Sequence, residues 1–215
     1  MIFGSISYLN LLPFQLFLKK YLKESNIKMA FNYKRDVPSQ INKTLRSRGI
    51  NAGFISSIES PRYKCTDLGI IANKAVYSVF VIEGEDKKDN ESATSNRLAS
   101  ILNIKGEVII GDKALKYYLD GGKGIDLATA WYKKTSLPIV FARLCYNCYS
   151  KEIQKISKEF IHKPIKIPQY ILKKEAKKRG ISPKQLLWYL EYIEYGIDYR
   201  AKRSLKRFFK EVNRN

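Results

Sequence analysis

A chain of 215 residues with 45% apolar and 13% aromatic content can bury a real core, as one large domain or two small ones, and this excludes a disordered tail. The formal charge of +20 favours an anionic partner, but much of the excess is Lys on polar helix faces, as at Lys19, Lys20 and Lys23 or Lys173, Lys174, Lys177 and Lys178. No apolar run reaches the roughly 20 residues that span a bilayer, and no export signal precedes the first strand pattern, so a cytoplasmic location without membrane contact is expected.

Ile2–Leu9 reads as a short buried strand that changes character at Asn10. A helix follows, with Leu11, Phe14, Leu18, Tyr21 and Leu22 on one face and Pro13 in its first turn. Asn10 is then expected to be both its N-cap and a residue at a strand's C-terminal end, where open α/β sheets bind ligands. Met29–Tyr33 suggests a second strand and Val37–Leu45 a helix entered through Pro38 and ended by Gly49. Ala52–Ile55 is a strand running into Ser56 and Ser57. This strand–helix order predicts a parallel sheet. Leu68–Ala72 and Val76–Ile82 add strands, the second interrupted by the polar Ser78.

Gly84–Ser92 is polar throughout and reads as a linker into a second lobe. Ser92, Thr94 and Ser95 then open a helix carrying Leu98, Ile101 and Leu102. An apolar strand follows and stops at Gly111-Asp112, ahead of a helix to Leu119. Two helix starts thus face one crevice, with free N–H groups and hydroxyls suited to a carboxylate or phosphate. The glycine-rich Asp120–Gly124 lacks phosphate-loop spacing and reads as a surface turn. Asp126 caps a helix with Leu127, Ala130 and Trp131 that stops near Ser136, and Leu137–Tyr146 is a long strand returning to the first lobe.

The remainder reads as helical: Pro168–Arg179 stopped by Gly180, Ser182-Pro183 through Tyr195, and Asp198 to about Val212. Trp188, Tyr189, Tyr192 and Tyr195, beside Arg200, Lys202, Arg203, Lys206 and Arg207, are read as core aromatics with a solvated basic face; no nucleic-acid motif accompanies them. Cys65, Cys145 and Cys148 include one C-x-x-C, but His162 is the single histidine, so the cysteines are read as structural thiols and no metal site is expected.

Seven motifs in order carry a family resemblance: YLN-x-x-P at Tyr8–Pro13, G-I-N-A with S-S-I-E at Gly49–Glu59, Ser78-Val79, S-A-T-S at Ser92–Ser95, I-G-D-x-A-L at Ile110–Leu115, D-L-x-x-x-W at Asp126–Trp131 and T-S-L-P-x-V-F-A at Thr135–Ala142. Together they resemble the chorismate dehydratases of menaquinone biosynthesis by the futalosine pathway. The resemblance implies an α/β, two-lobed, type II periplasmic-binding-protein-like fold with a ligand cleft and a helical C-terminal segment. Residues 1–83 and 139–215 are expected to form the first lobe, and 84–138 the second. It departs from the family's pattern at Asn51, Ser56, Ser136 and Leu144. The sister 1,4-dihydroxy-6-naphthoate synthase is resembled less, because its Ser-Pro-Cys-Pro-Asn-Asp opening is absent.

The implied reaction converts dianionic chorismate to 3-[(1-carboxyvinyl)oxy]benzoate and water, with aromatisation as driving force and no cofactor or metal needed. By motif, Asn10 becomes the catalytic candidate, orienting substrate or a water, while Ser57, Ser78, Thr94, Ser95, Gly111 and Asp112 become substrate-binding candidates. The motifs contain no evident general base, and Asp112 reads equally as a helix cap. The substrate's own side-chain carboxylate is the expected proton acceptor. The rival readings are a non-catalytic cytoplasmic binder of an aromatic carboxylate and, more distantly, a basic nucleic-acid-binding protein.

Overall fold

Two runs of small and β-branched residues fix where the first sheet can form. Ile2–Ser5 (β1) buries Phe3, and Ala52–Ser56 (β3) is buried along its whole length. The two lie parallel and close, because Gly4 and Gly53 face each other in register. A Cβ added at Gly4 would fall 2.5 Å from Ile50 Cδ1. The computed structural model describes residues 1–24, 31–163 and 165–214. Among these, Asn32–Arg35 (β2), β1, β3, Ile139–Tyr146 (β8), Lys64–Ala72 (β4) and Glu194–Gly196 (β9) form a six-stranded sheet in the order β2-β1-β3-β8-β4-β9. The expected parallel pairing holds for β2-β1-β3; β8 and β9 pair antiparallel. The Met29–Ala30 part of the expected second strand lies outside the described residues.

Pro38–Arg46 (α2) follows from the paired apolar positions Ile41 and Leu45, both fully buried. Leu12–Glu24 (α1) packs Phe14 edge-on to Phe54 of β3 at 5.0 Å and to Phe160 of Ser150–His162 (α6) at 5.2 Å. Such aromatic contacts add to plain area burial.

The second sheet is antiparallel, ordered Glu107–Ile110 (β6), Val79–Ile82 (β5) and Ile125–Asp126 (β7). Ala93–Ile101 (α3), Gly111–Leu119 (α4) and Leu127–Thr135 (α5) accompany it, burying Leu98, Leu115, Leu127 and Trp131. The chain crosses between lobes after Ala72 and returns after α5 through Ser136, which adopts φ 56°. Asp126 secures the first crossing. One carboxylate oxygen accepts the N–H groups of Val76 and Tyr77 at 3.0 and 2.8 Å, and the other caps α5 at Thr129 N.

The expected lobe boundary at Gly84 moves accordingly. β5 completes its backbone hydrogen bonds with β6 and β7, so it belongs to the second sheet, and an apolar strand pattern does not state which sheet supplies its partners. Gly84–Ser92 is not a bare linker either. Lys87 bridges to Glu107, Asp86 accepts from Gly106 N at 2.7 Å, and Asp89, 6% exposed, accepts from Lys113 Nζ.

Gln169–Lys178 (α7) and Pro183–Leu190 (α8) flank Gly180, and Ser182 with Gln185 forms a capping box. The helix expected to reach Tyr195 stops at Leu190, because Glu194–Gly196 finds the open edge of β4. Tyr199–Val212 (α9), capped by Asp198, presses Phe208 on Trp131, whose indole N–H donates to Ser204 at 2.9 Å. The cysteine reading also changes. The register of β4 and β8 sets Cys65 opposite Cys145, and they are joined in a disulfide; Cys148 is free and exposed. Sequence spacing had placed Cys145 nearest Cys148, but sheet register decides the partner.

Candidate active site

The cleft between the lobes is a partly open pocket walled by residues of both sheets and of the turn before α1. Its apolar walls include Ile6, Phe54, Ile110 and Phe141, and its polar groups are Tyr8, Asn10, Ser56, Ser78, Ser92 and Ser95 with the Gly111 backbone. Among the described residues, none that lines it is charged.

Local sequence explains how each polar group is held. Ser92 is the N-cap of α3: its hydroxyl accepts from Ser95 N at 3.2 Å and donates to Ser95 Oγ at 2.8 Å. This keeps both serines at a helix start facing the cleft. Gly111 opens α4 at φ +70°, where a Cβ would lie 2.8 Å from the Tyr8 ring, and its N–H donates to Ser78 O at 2.8 Å. Ser56 is pinned by Asn42, whose amide donates to its hydroxyl and accepts from its N–H, both at 3.0 Å. Ser78, almost fully buried, has its hydroxyl 3.0 Å from that of Tyr189.

Asn10 is not the helix N-cap that sequence suggests. It sits inside a 3₁₀ turn, Leu9–Leu11, that precedes α1. The turn is held from outside: Tyr195 donates to Asn10 O at 2.7 Å, and Leu9 N–H donates to Asp112 Oδ1 at 2.9 Å. Asp112 therefore caps a turn of the opposite lobe. Its other oxygen accepts from Arg179 Nε at 2.8 Å, and Arg179 also donates to Ser7 O at 2.6 Å and pairs with Glu175. Tyr8 donates to Glu91 across the same rim. Burial pushes the Asp112 carboxyl above its usual range, outweighing the opposing pull of Leu9 N–H and Arg179. Burial likewise pushes the Tyr189 and Tyr195 phenols far up, so both stay protonated.

Of the residues singled out in sequence, Asn10, Ser78, Ser95 and Gly111 line the cleft. Ser57 and Thr94 are fully buried beside it, and Asp112 is committed to the rim. The Ser57 hydroxyl has no hydrogen-bond partner among the described residues, and Thr94 Oγ1 accepts from Ile58 N across the lobes at 3.3 Å. Sequence reasoning had not assigned Tyr8 or Ser56 to the site, nor Arg179, Tyr189 and Tyr195 to its support. For the two tyrosines a signal existed: a buried phenol needs a partner. Among the described residues, no group of three or more His, Cys, Asp or Glu is placed to hold a metal ion. The geometry offers helix N–H groups and uncharged hydroxyls to an anion bearing an apolar ring.

Comparisons with known proteins agree with this layout. The model of a menaquinone biosynthesis family matches residues 1–105 and 99–214. The chain is 50% identical over 217 residues to a chorismate dehydratase of Campylobacter jejuni, covering 98% of this chain and 96% of that protein. It is 22% identical over 260 residues to a chorismate dehydratase of Thermus thermophilus, covering 96% and 93%. Among solved structures, a protein from Archaeoglobus fulgidus superposes with a TM-score of 0.72 at 13% identity, covering 99% and 96% of the two chains. The periplasmic aliphatic sulphonate binding protein of Escherichia coli superposes with 0.53 at 14% identity, covering 100% and 87%. The fold is thus the periplasmic-binding-protein-like one, and with its sequence matched along almost its whole length, this chain belongs to the menaquinone biosynthesis family.

Proposed function

We propose that this chain is a chorismate dehydratase acting in the cytoplasm, converting chorismate to 3-[(1-carboxyvinyl)oxy]benzoate and water. The observation that carries this reading is the 50% identity, end to end, with a protein of that name. The cleft fits it chemically. Chorismate carries a ring carboxylate, an enolpyruvyl ether at C3 and a hydroxyl at C4. Removing the C3 proton sends the electron pair of that bond into the ring, where it is delocalised toward the ring carboxylate. Expulsion of the C4 hydroxyl, protonated as water, leaves the aromatic product.

Charge therefore develops at the ring carboxylate, and fixed donors there lower the barrier. The Ser95 hydroxyl at the α3 start, whose oxygen already accepts from Ser92, supplies such a donor, while Phe54 and Phe141 give apolar surface to the ring. Thr94, buried beside the same helix start, joins the lobes through Ile58. Asn10 orients the substrate or a water; an amide is a poor base, so the substrate's enolpyruvyl carboxylate accepts the C3 proton.

The test is to incubate the purified protein with chorismate, without metal or nucleotide, and follow product by mass and aromatic absorbance. Loss of one water to the enolpyruvyl benzoate is expected. Binding without conversion would replace this reading by that of an aromatic-carboxylate receptor, and no binding would reduce the likeness to one of fold.

A further inference from the structure

Asn10, Ser78 and Asp112 come from three separate stretches of chain, yet each is gripped by one residue from the segment 179–195: Tyr195, Tyr189 and Arg179 respectively. The Tyr189 contact sets a direction. Tyr189 is 1% exposed, and its hydroxyl has one hydrogen-bond partner among the described residues, Ser78 Oγ. A phenol has a single proton, and leaving it unpartnered in an apolar interior is costly. Burial keeps that proton in place, and the nearby Asp112 carboxylate acts in the same sense.

We infer that Tyr189 is a positioning residue that donates to Ser78 Oγ and so turns the Ser78 proton into the cleft. The serine oxygen is occupied as an acceptor, and its backbone is held by Gly111 N–H, so its own O–H remains for a ligand. That polarity suits a carboxylate, which accepts and cannot donate. A serine without Tyr189 would rotate its proton between several orientations and present a donor only part of the time.

The inference deepens the dehydratase reading and rests on it. The experiment compares kcat/KM for chorismate, with melting temperatures, among wild type, Tyr189→Phe, Ser78→Ala and the double variant. Tyr189→Phe is expected to lower kcat/KM about five- to tenfold, the scale of one hydrogen bond, and to have no further effect once Ser78 is alanine. Tyr189→Met, which fills the space with a flexible side chain, replaces Tyr189→Phe if the latter fails to fold. Unchanged kcat/KM in the single variant, or an equal fold-loss in both backgrounds, overturns the inference, since a merely structural tyrosine lowers stability regardless of Ser78. If wild type leaves chorismate unchanged, the dehydratase reading fails separately, and the same four proteins are compared for 3-hydroxybenzoate affinity. Coupling there supports the Ser78 orientation; its absence, or no binding, overturns it.

Discussion

Inside the cleft, Asn10, Ser56, Ser78, Ser92 and Ser95 present uncharged polar groups, although the chain carries a formal charge of +20. At the rim, Asp112, Arg179 and Glu175 carry full charges, the first two with side chains only 18% and 15% exposed. The difference follows from who supplies the partner. Rim charges are paired by the protein itself, so they stay compensated whether or not a ligand is present. A lysine buried in the empty cleft would be an unpaired charge between turnovers, at a cost of several kcal/mol. Neutral donors and helix termini bind an anion without that penalty.

The comparison is broken most sharply at Asn10. Asn10→Ala should lower kcat by about 100- to 1,000-fold, the scale of a lost transition-state donor, with an unchanged melting temperature. Normal turnover in a folded variant would remove Asn10 from the chemistry. At the rim the effect should fall on stability instead. Asp112→Ala strands Leu9 N–H and leaves Arg179 with Glu175 as its one carboxylate partner, and should cost about 2 kcal/mol, read by urea denaturation.

Gly111→Ala tests the junction of the two regions. The residue sits at φ +70° against the Tyr8 ring, so a methyl should destabilise by about 2 kcal/mol and weaken substrate binding as the lobes part. Tyr195→Phe removes the donor to Asn10 O and should cost about 1 kcal/mol, with a fall in kcat reporting the loosened turn.

The smallest effect is in pH. Because the Asp112 pKa is raised in the folded state, this group favours folding below its unfolded value of 3.8, and that contribution is lost as pH rises through the raised value. Wild-type stability should therefore decline relative to Asp112→Asn across that window. Parallel stability curves for the two proteins would contradict it.

Much of this organisation was legible in the residues. Ser92 and Asp126 announce helix starts by chemistry local to a few positions, and Gly111-Asp112 marks the abrupt end of a strand; all three readings match the backbone seen. Asn10 was legible as a cleft residue but not as part of a 3₁₀ turn, because the groups that hold the turn, Asp112 and Tyr195, lie more than a hundred residues along the chain. Ser57 and Thr94, buried beside the cleft, show what sequence leaves open. Hydroxyls beside a strand end or helix start look alike in sequence whether they face the ligand or the opposite lobe.

Periodicity, caps and glycines therefore determined most of the elements, since those signals act within a turn or two of chain, while the two-lobed order was implied by the family resemblance. Tertiary structure alone decided that β5 joins the second sheet, that Glu194–Gly196 extends β4, that Cys65 meets Cys145, and that the last third of the chain braces the cleft. Each of these is a choice of partner among chemically equivalent strands, thiols and hydroxyls, and only three-dimensional packing distinguishes one partner from another.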